Sequence, residues 1–377
     1  MLRLLLLRLY IKNIKSLRTL GVYIFVITAT LCFSSLLLVI IYNQMSPYEE
    51  STYNYIFTNF DDENINEIKG NEHVEDVYAS RVVATSIRKD GEPVEIDLNC
   101  VDEWDTTGIT YYSDDRMVKG EFTYKDNGIV LDILLARKLD ANVGDTVYIA
   151  IGENEIEYEV CALIEPHVGI TYGQAVCLYN QYFRDKGIDN LAYSMLFVRT
   201  GDDEIEDYFY NEYKGPGMKG MTKEEIKEIN RNTIIKKEWE LFDVESELEH
   251  TPPIILGIFI LGLVVIFLFV LRECRAQGEN INKKVAILAA LGEKSSIVIR
   301  LTVISQIMII LPAILISGVL TKVLYDGLIA NYYLPLKLLL AELGIVVIVT
   351  FIICLIVGVI MYRSYKKKTV CELLKYE

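Results

Sequence analysis

Four stretches of the chain are apolar with almost no charge. Leu20 to Tyr42 and Pro253 to Leu271 hold no charged residue over 23 and 19 positions. Leu301 to Thr321 is a third such run, and Leu338 to Tyr362 a fourth, broken only by Glu342 near its start. A helix rises about 1.5 Å per residue, so each run can cross a hydrocarbon core of about 30 Å. Buried helices of a soluble protein do not repeat this length and purity four times. The pattern predicts transmembrane helices at 20–42, 253–271, 301–321 and 338–362. The first run is longer than the roughly 7–15-residue apolar core of a cleaved signal, and no small-residue cleavage pattern stands near Tyr42-Asn43-Gln44. It reads as a retained anchor.

Between the first two runs the pattern changes. Residues 43–252 mix short β-type segments with polar helical ones, enough for one or two compact domains. Tyr53 to Phe60 reads as a strand, Asp61 to Lys69 as a short helix capped by Asp61 or Asp62, and Val74 to Ile87 as a second strand. Asp90-Gly91 is a hairpin turn leading into a strand from Pro93 to Leu98. Ile129 to Leu131, Thr146 to Ile151 and Ile156 to Leu163 continue the strand rhythm around a helix at Leu134 to Leu139. This predicts a β-rich subdomain at about 117–190 inserted into the first. Tyr193 to Arg199 is a further strand. Helices follow at Asp203 to Tyr213 and Thr222 to Arg231, and Thr233 to His250 feeds the second span. The expected fold is an α-helical membrane protein with four transmembrane helices and an α/β (α+β) domain between the first and second.

Charge orients this arrangement. The 377 residues carry a net charge of −15, very unevenly distributed. Segments 1–19, 272–300 and 363–377 together hold 16 Lys/Arg and five Asp/Glu, whereas Asn43 to His250 holds 45 Asp/Glu and 19 Lys/Arg. Basic residues stay on the cytoplasmic side. Both termini and the 272–300 loop are therefore expected in the cytoplasm, and the acidic domain and the 322–337 loop outside. Leu2, Leu5, Leu6, Leu9 and Ile11 give the N-terminal segment an apolar face beside Arg3, Arg8, Lys12 and Lys15, which suits an amphipathic helix on anionic lipid. The scattered outer carboxylates read as a solvated face, with no pair singled out for catalysis.

Candidate chemistry is sparse. Cys32 and Cys354 fall in spans, and Cys274 and Cys371 in cytoplasmic segments. Cys100, Cys161 and Cys177 are external, odd in number and without C-x-x-C spacing, so at most one disulfide can form among them, and buried free thiols are expected. His73, His167 and His250 have no metal-like spacing, and no G-x-S-x-G nucleophile motif occurs. Glu342 is expected near the outer end of its span, reaching water, in a structural role. No bound cofactor, metal or catalytic residue is expected on this chain.

One segment, Lys283 to Ser296 (KKVAILAALGEKSS), superficially resembles a phosphate-binding loop. That loop needs G-x-x-x-x-G-K-[ST]. Ile287 stands where the first glycine belongs, and Glu293 separates Gly292 from Lys294. Val285, Leu288 and Ala289 or Leu291 instead share one face of a helix. Gly292 can end that helix, and Ser295 or Ser296 can cap the next. The expectation is a short amphipathic helix at the cytoplasmic surface, between the second and third spans.

Taken in order, these features resemble ABC-transporter permeases of the FtsX/MacB type. Met117-Val118-Lys119-Gly120, Ile129-Val130-Leu131, Leu135-Ala136 and Val143-Gly144-Asp145 are similar to the family's outer core domain. Val285 to Gly292 is similar to the "E-I-G-I-L-R-A-L-G" before the third span. Thr369 to Glu377 is similar to the family's C-terminal "dP.e.LryE". Lys284, Ala286 and Ala289 depart from the usual Glu, Gly and Arg, and Gln306 stands at an often acidic place. The resemblance implies a non-enzymatic permease subunit. Its short helix, with Lys284, Val285, Ile287, Leu288, Leu291 and Gly292, would dock on a separate ATPase that binds ATP and Mg. It also implies a dimer with a second permease, the same chain or a related one. Membrane lipid is an expected partner and nucleic acid is not. The implied function is export of a peptide, lipid-linked or antimicrobial substrate by mechanotransmission. Alternatives are a non-transporting transmitter controlling a cell-wall hydrolase, and a peptide-binding receptor or immunity protein.

Overall fold

The computed structural model describes residues 15–151, 154–166, 173–186, 191–201, 205–290, 297–327 and 333–366, without the side chains of 15–18, 276–290, 297–302, 305 and 364–366. It divides into a helical unit and an outer unit, the latter built from Ile40–Glu249.

The helical unit contains four helices long and apolar enough to cross a membrane. Helix α1 spans Lys15–Glu50, α8 Thr251–Ala290, α9 Ile297–Gly327 and α10 Leu336–Lys366. (Helices α2 to α7 belong to the outer unit.) Each contains its expected apolar run and extends beyond it. Tyr23, Ile27 and Leu31 of α1 pack with Val270 of α8, Ala313 of α9 and Val357 of α10 in one buried cluster. Leu261, Leu268, Leu315 and Ile348 point outward, as apolar side chains do when the surrounding solvent is lipid. Polar groups within the bundle bond between helices: Tyr325 Oη donates to the Cys32 carbonyl at 3.0 Å and Ser317 Oγ to the Ile24 carbonyl at 3.1 Å. Glu342 corrects an expectation. Its carboxyl is buried among the helices at 4% exposure and accepts from Ser35 Oγ of α1. A buried carboxyl needs a hydrogen-bond partner, and the serine supplying it lies 307 positions away.

In the outer unit β1 (Tyr55–Phe57) leads to α2 (Asp62–Lys69) and then β2 (Val74–Arg88). Asp61 caps α2 by accepting from the Asn64 amide at 3.0 Å. The expected hairpin joins β2 to β3 (Val94–Val101). Then come β4 (Met117–Gly120), β5 (Gly128–Asp132), α3 (Ile133–Lys138), β6 (Thr146–Ile151) and β7 (Asn154–Ile164). After them stand β8 (Gly173–Leu178), α4 (Gln181–Arg184), β9 (Met195–Thr200) and α5 (Ile205–Asn211). Last come α6 (Lys223–Thr233), β10 (Ile234–Lys236) and α7 (Lys237–Leu248).

The described strands form one sheet in the order β10-β1-β9-β2-β3-β8-β5-β7-β4, with β6 pairing both β2 and β7. Residues 117–190 were expected to form an inserted subdomain; their strands instead join the strands before them. The reason is β2. At 15 residues it is long enough to pair with β9 through its first half and with β3 and β6 through its second. The pairings β2–β3–β8–β5–β7–β6–β2 therefore close a six-stranded barrel. Ile87, Leu98, Leu131, Ile149 and Val160 fill one core with Cys100 and Cys177.

The first half of β2 continues into the β9-β1-β10 ribbon, where side chains alternate between two cores. Tyr55 and Phe57 face Phe209 and Tyr213 beside α5, whereas Ile56 and Phe197 face Tyr111 and Trp104 on the other side. Gly120 ends β4 at φ +86°, and a Cβ there would lie 2.9 Å from Ala162 Cα on β7, so only glycine fits.

Candidate functional site: the root of the outer unit

The chain enters the outer unit through the end of α1 and leaves it through α7. Both segments are held by polar contacts that are buried or partly buried. On the entry side, Arg116 has only 1% of its side chain exposed. Its Nη2 donates to the Pro166 carbonyl at 3.0 Å, its Nη1 to the Tyr111 carbonyl at 3.3 Å, and its Nε stands 3.6 Å from Glu50 Oε2 on α1. Burial pushes the guanidinium's pKa down, while Glu165 and Glu50 pull it back up. Arginine keeps its charge under such conditions, and its fork can serve several acceptors at once. Two turns earlier on α1, Tyr42 Oη donates to Glu165 Oε2 at 2.7 Å. The end of α1 is thus bound through Arg116, just before β4, and Glu165, just after β7, which stand 66 positions from Glu50 and 123 from Tyr42 in sequence.

On the exit side, Lys237 opens α7. Its Nζ donates to the Ser51 carbonyl at 2.9 Å and its amide to the Asn54 carbonyl at 2.9 Å. Half-burial pushes the Lys237 pKa down, with Glu238 pulling it up. Tyr53 Oη donates to Glu240 Oε2 at 3.3 Å, and burial raises the Glu240 carboxyl above its usual range. Residues 51–54 also bond to a tight loop. The Thr52 and Tyr53 amides donate to the Gly108 and Ile109 carbonyls at 2.9 and 3.1 Å. That loop is organised by Asp105, which accepts from the Thr110 amide at 2.6 Å and the Thr107 amide at 3.1 Å. The segment after α1 and the segment before the second span are therefore hydrogen-bonded to each other.

Sequence reading missed this root. Its carboxylates were grouped with the solvated acidic face, and nothing local to Arg116 marks it as buried. A basic residue just before a β segment in an acidic domain was the available signal. Of the residues expected to contact an ATPase, Lys284, Val285, Ile287 and Leu288 lie on α8, whose backbone is helical without a break from Thr251 to Ala290. This segment continues the second span's helix, where a separate short helix was expected. Residues 272–290 contain no proline to break the helix. Leu291, Gly292, Ser295 and Ser296 lie outside the described residues. Among the described residues no group of three His, Cys, Asp or Glu side chains is placed to hold a metal ion.

Fold and root together define a multi-pass membrane protein that carries a mixed α/β domain between its first and second helices. No protein-family model matches the sequence, and none of the curated proteins does. Solved structures do match. The extracellular domain of the noncanonic ABC-type transporter YknZ from Gram-positive bacteria is 21% identical, with a TM-score of 0.32, over 41% of this chain and 88% of that one. The periplasmic region of MacB from Actinobacillus actinomycetemcomitans is 12% identical, with a TM-score of 0.32, over 53% of this chain and 94% of that one. A domain of a Porphyromonas gingivalis protein named as a permease is 13% identical, with a TM-score of 0.32, over 43% and 78%.

Proposed function

We propose that this chain is the permease subunit of an ABC transporter, moved by a separate ATPase and passing that motion to its outer domain. The observation that carries the reading is the root. The helix of the first span runs without a break to Glu50 and is gripped there by Arg116, while Lys237 ties the approach to the second span to residues 51–54. Such a joint transmits displacement. Among the described spans Glu342 is the only charged side chain buried in the bundle, and Ser35 binds it there. The order of spans and the motifs around Gly120, Gly144 and Gly292 support the same reading by resemblance.

In this proposal the basic segments lie in the cytoplasm and the acidic domain outside. Lys284, Val285, Ile287, Leu288, Leu291 and Gly292 meet the ATPase at the inner end of the second span. ATP and Mg stay on that partner, and two permease chains work as a pair. ATP binding draws the spans together and the root moves the outer domains, displacing a peptide, lipid-linked or antimicrobial substrate outside the membrane.

The test is co-purification of the ATPase with Leu288→Asp and Leu291→Asp variants. A carboxylate buried without a partner at an apolar contact costs several kcal/mol, at about 1.4 kcal/mol per tenfold in affinity. The ATPase should be lost while membrane yield stays at the parent level. Lys294→Ala should retain it, since an exposed charge contributes about 0–1 kcal/mol. Full retention by both aspartate variants overturns the docking assignment.

A further inference from the structure

Of the three cysteines of the outer unit, sequence alone selects no pair. The structure separates them. Cys161 faces the core shared with Trp104 and Tyr111, and its Sγ lies 3.2 Å from the Ile129 carbonyl. Cys100 and Cys177 are register partners on the adjacent parallel strands β3 and β8. Both side chains point into the barrel, both are 0% exposed, and their sulfurs are 3.7 Å apart. Neighbouring strands stand about 4.8 Å apart, inside the roughly 4.4–6.8 Å between Cα atoms that a disulfide bridges. A disulfide needs the sulfurs closer still, and rotation about the two Cα–Cβ bonds is the movement that brings them together.

We propose that Cys100 and Cys177 form a disulfide that closes the β3–β8 seam of the barrel as the outer unit folds. The inference rests on the outward placement of this unit, since disulfides persist in oxidising compartments. The seam is where it matters mechanically. Strands β8, β5, β7 and β4 connect to β2 and β3 through this parallel pair and through β6. Arg116 and Glu165 hold the end of α1 at the β4–β7 side, whereas Lys237 and Asn54 lie beside the β10–β1 side. A covalent link across the seam makes the two sides move as one body.

The bond forms before the barrel shuts. Contact with Cys177 and burial push the Cys100 thiol well up, and both sulfurs, fully buried in the folded barrel, are closed to an oxidant. The co-reactant is a small-molecule or protein disulfide of the outer compartment. One cysteine thiolate attacks it and expels one thiolate, leaving a mixed disulfide. The other cysteine thiolate then attacks the protein sulfur of that bond and expels the second. Two protons pass to the two released thiols, the cysteine pair is oxidised by two electrons, and the oxidant is reduced by two.

The experiment uses the full chain in two arms. In the first, intact cells are quenched with N-ethylmaleimide, and the protein is purified without reductant, denatured and digested for mass spectrometry. In the second, the chain is synthesised cell-free into lipid nanodiscs with oxidised glutathione and treated alike. Peptides bearing Cys100 and Cys177 should be joined in the first arm, two hydrogens lighter than their sum and separable by reductant, with Cys161 alkylated. The same linkage in the second arm adds support. Free Cys100 and Cys177 in both arms overturn the proposal, as does any linkage through Cys161. Linkage in the nanodisc arm alone overturns the outward placement, and with it the disulfide in cells, while leaving the pairing chemistry intact.

Discussion

Replacing Arg116 by leucine should loosen the root without touching the spans. The substitution keeps an apolar stem but leaves the Tyr111 and Pro166 carbonyls without their donors, at 3.3 and 3.0 Å in the parent. A buried acceptor without a partner costs about 1–3 kcal/mol. Glu50 loses its ion pair as well, but its side chain is 32% exposed, so water screens most of that loss. Removing one member of a buried pair costs about 3–5 kcal/mol when both are enclosed. With the discount for Glu50, about 3 kcal/mol is expected here. For a domain of this size each kcal/mol shifts the midpoint by about 2–4 °C, which predicts a fall of roughly 6–12 °C. The protein supplies its own probe. Both of its tryptophans, Trp104 and Trp239, lie in the outer unit, so tryptophan-selective fluorescence of the full chain in micelles follows that unit alone. Arg116→Lys should fall between parent and leucine variant, because an ammonium cannot reach two carbonyls and a carboxylate with a planar fork. A leucine variant melting within about 2 °C of the parent means that the root carries less than about 1 kcal/mol, and the transmission argument built on it fails.

Three further outcomes are expected. In a cysteine-free background, a cysteine placed near Glu206 should react with an impermeant thiol reagent in intact cells and one near Lys366 should not; the reverse pattern refutes the proposed orientation. Glu240→Gln should raise the thermal midpoint near pH 8 but not near pH 4. Burial raises the folded Glu240 pKa, so the folded state keeps a proton that the unfolded state has released. Wild-type stability then falls as pH rises from the unfolded value through the folded one, and the variant escapes that loss; an equal gain at both pH values contradicts the sign. Gly120→Ala places a Cβ 2.9 Å from Ala162 Cα at φ +86°, and a destabilisation of about 1–3 kcal/mol is expected by the same fluorescence melt. An unchanged midpoint shows that β4 can move away from β7.

The residues that were legible in the sequence are those whose structure is decided by near neighbours. Four nearly charge-free runs become four long helices because hydrocarbon demands internal satisfaction of every backbone group, and only length and apolarity are needed to read that. The cap of α2, read as Asp61 or Asp62, was legible because a cap is made within three residues, and Asp61 makes it. Asp90-Gly91 marks the β2–β3 turn for the same reason.

Pairing over long distances was not legible. β10 is three residues long and takes its identity from β1, about 180 positions earlier. The barrel exists because β6 returns to β2, a choice among strand edges that no local period encodes. Glu342 looks solvent-reachable by position in its span, yet Ser35 on another helix claims it. Arg116 and Glu50 are one basic and one acidic residue among many until α1 and β4 are placed side by side. Cys100 and Cys177 become a pair, and Cys161 the odd one out, only when β3 lies parallel to β8. Sequence determined the spans, the local elements and their order, whereas the tertiary structure decided which distant polar groups would be buried together. A buried polar group must find a partner wherever the fold puts one, and that partner's identity is written at the far end of the chain.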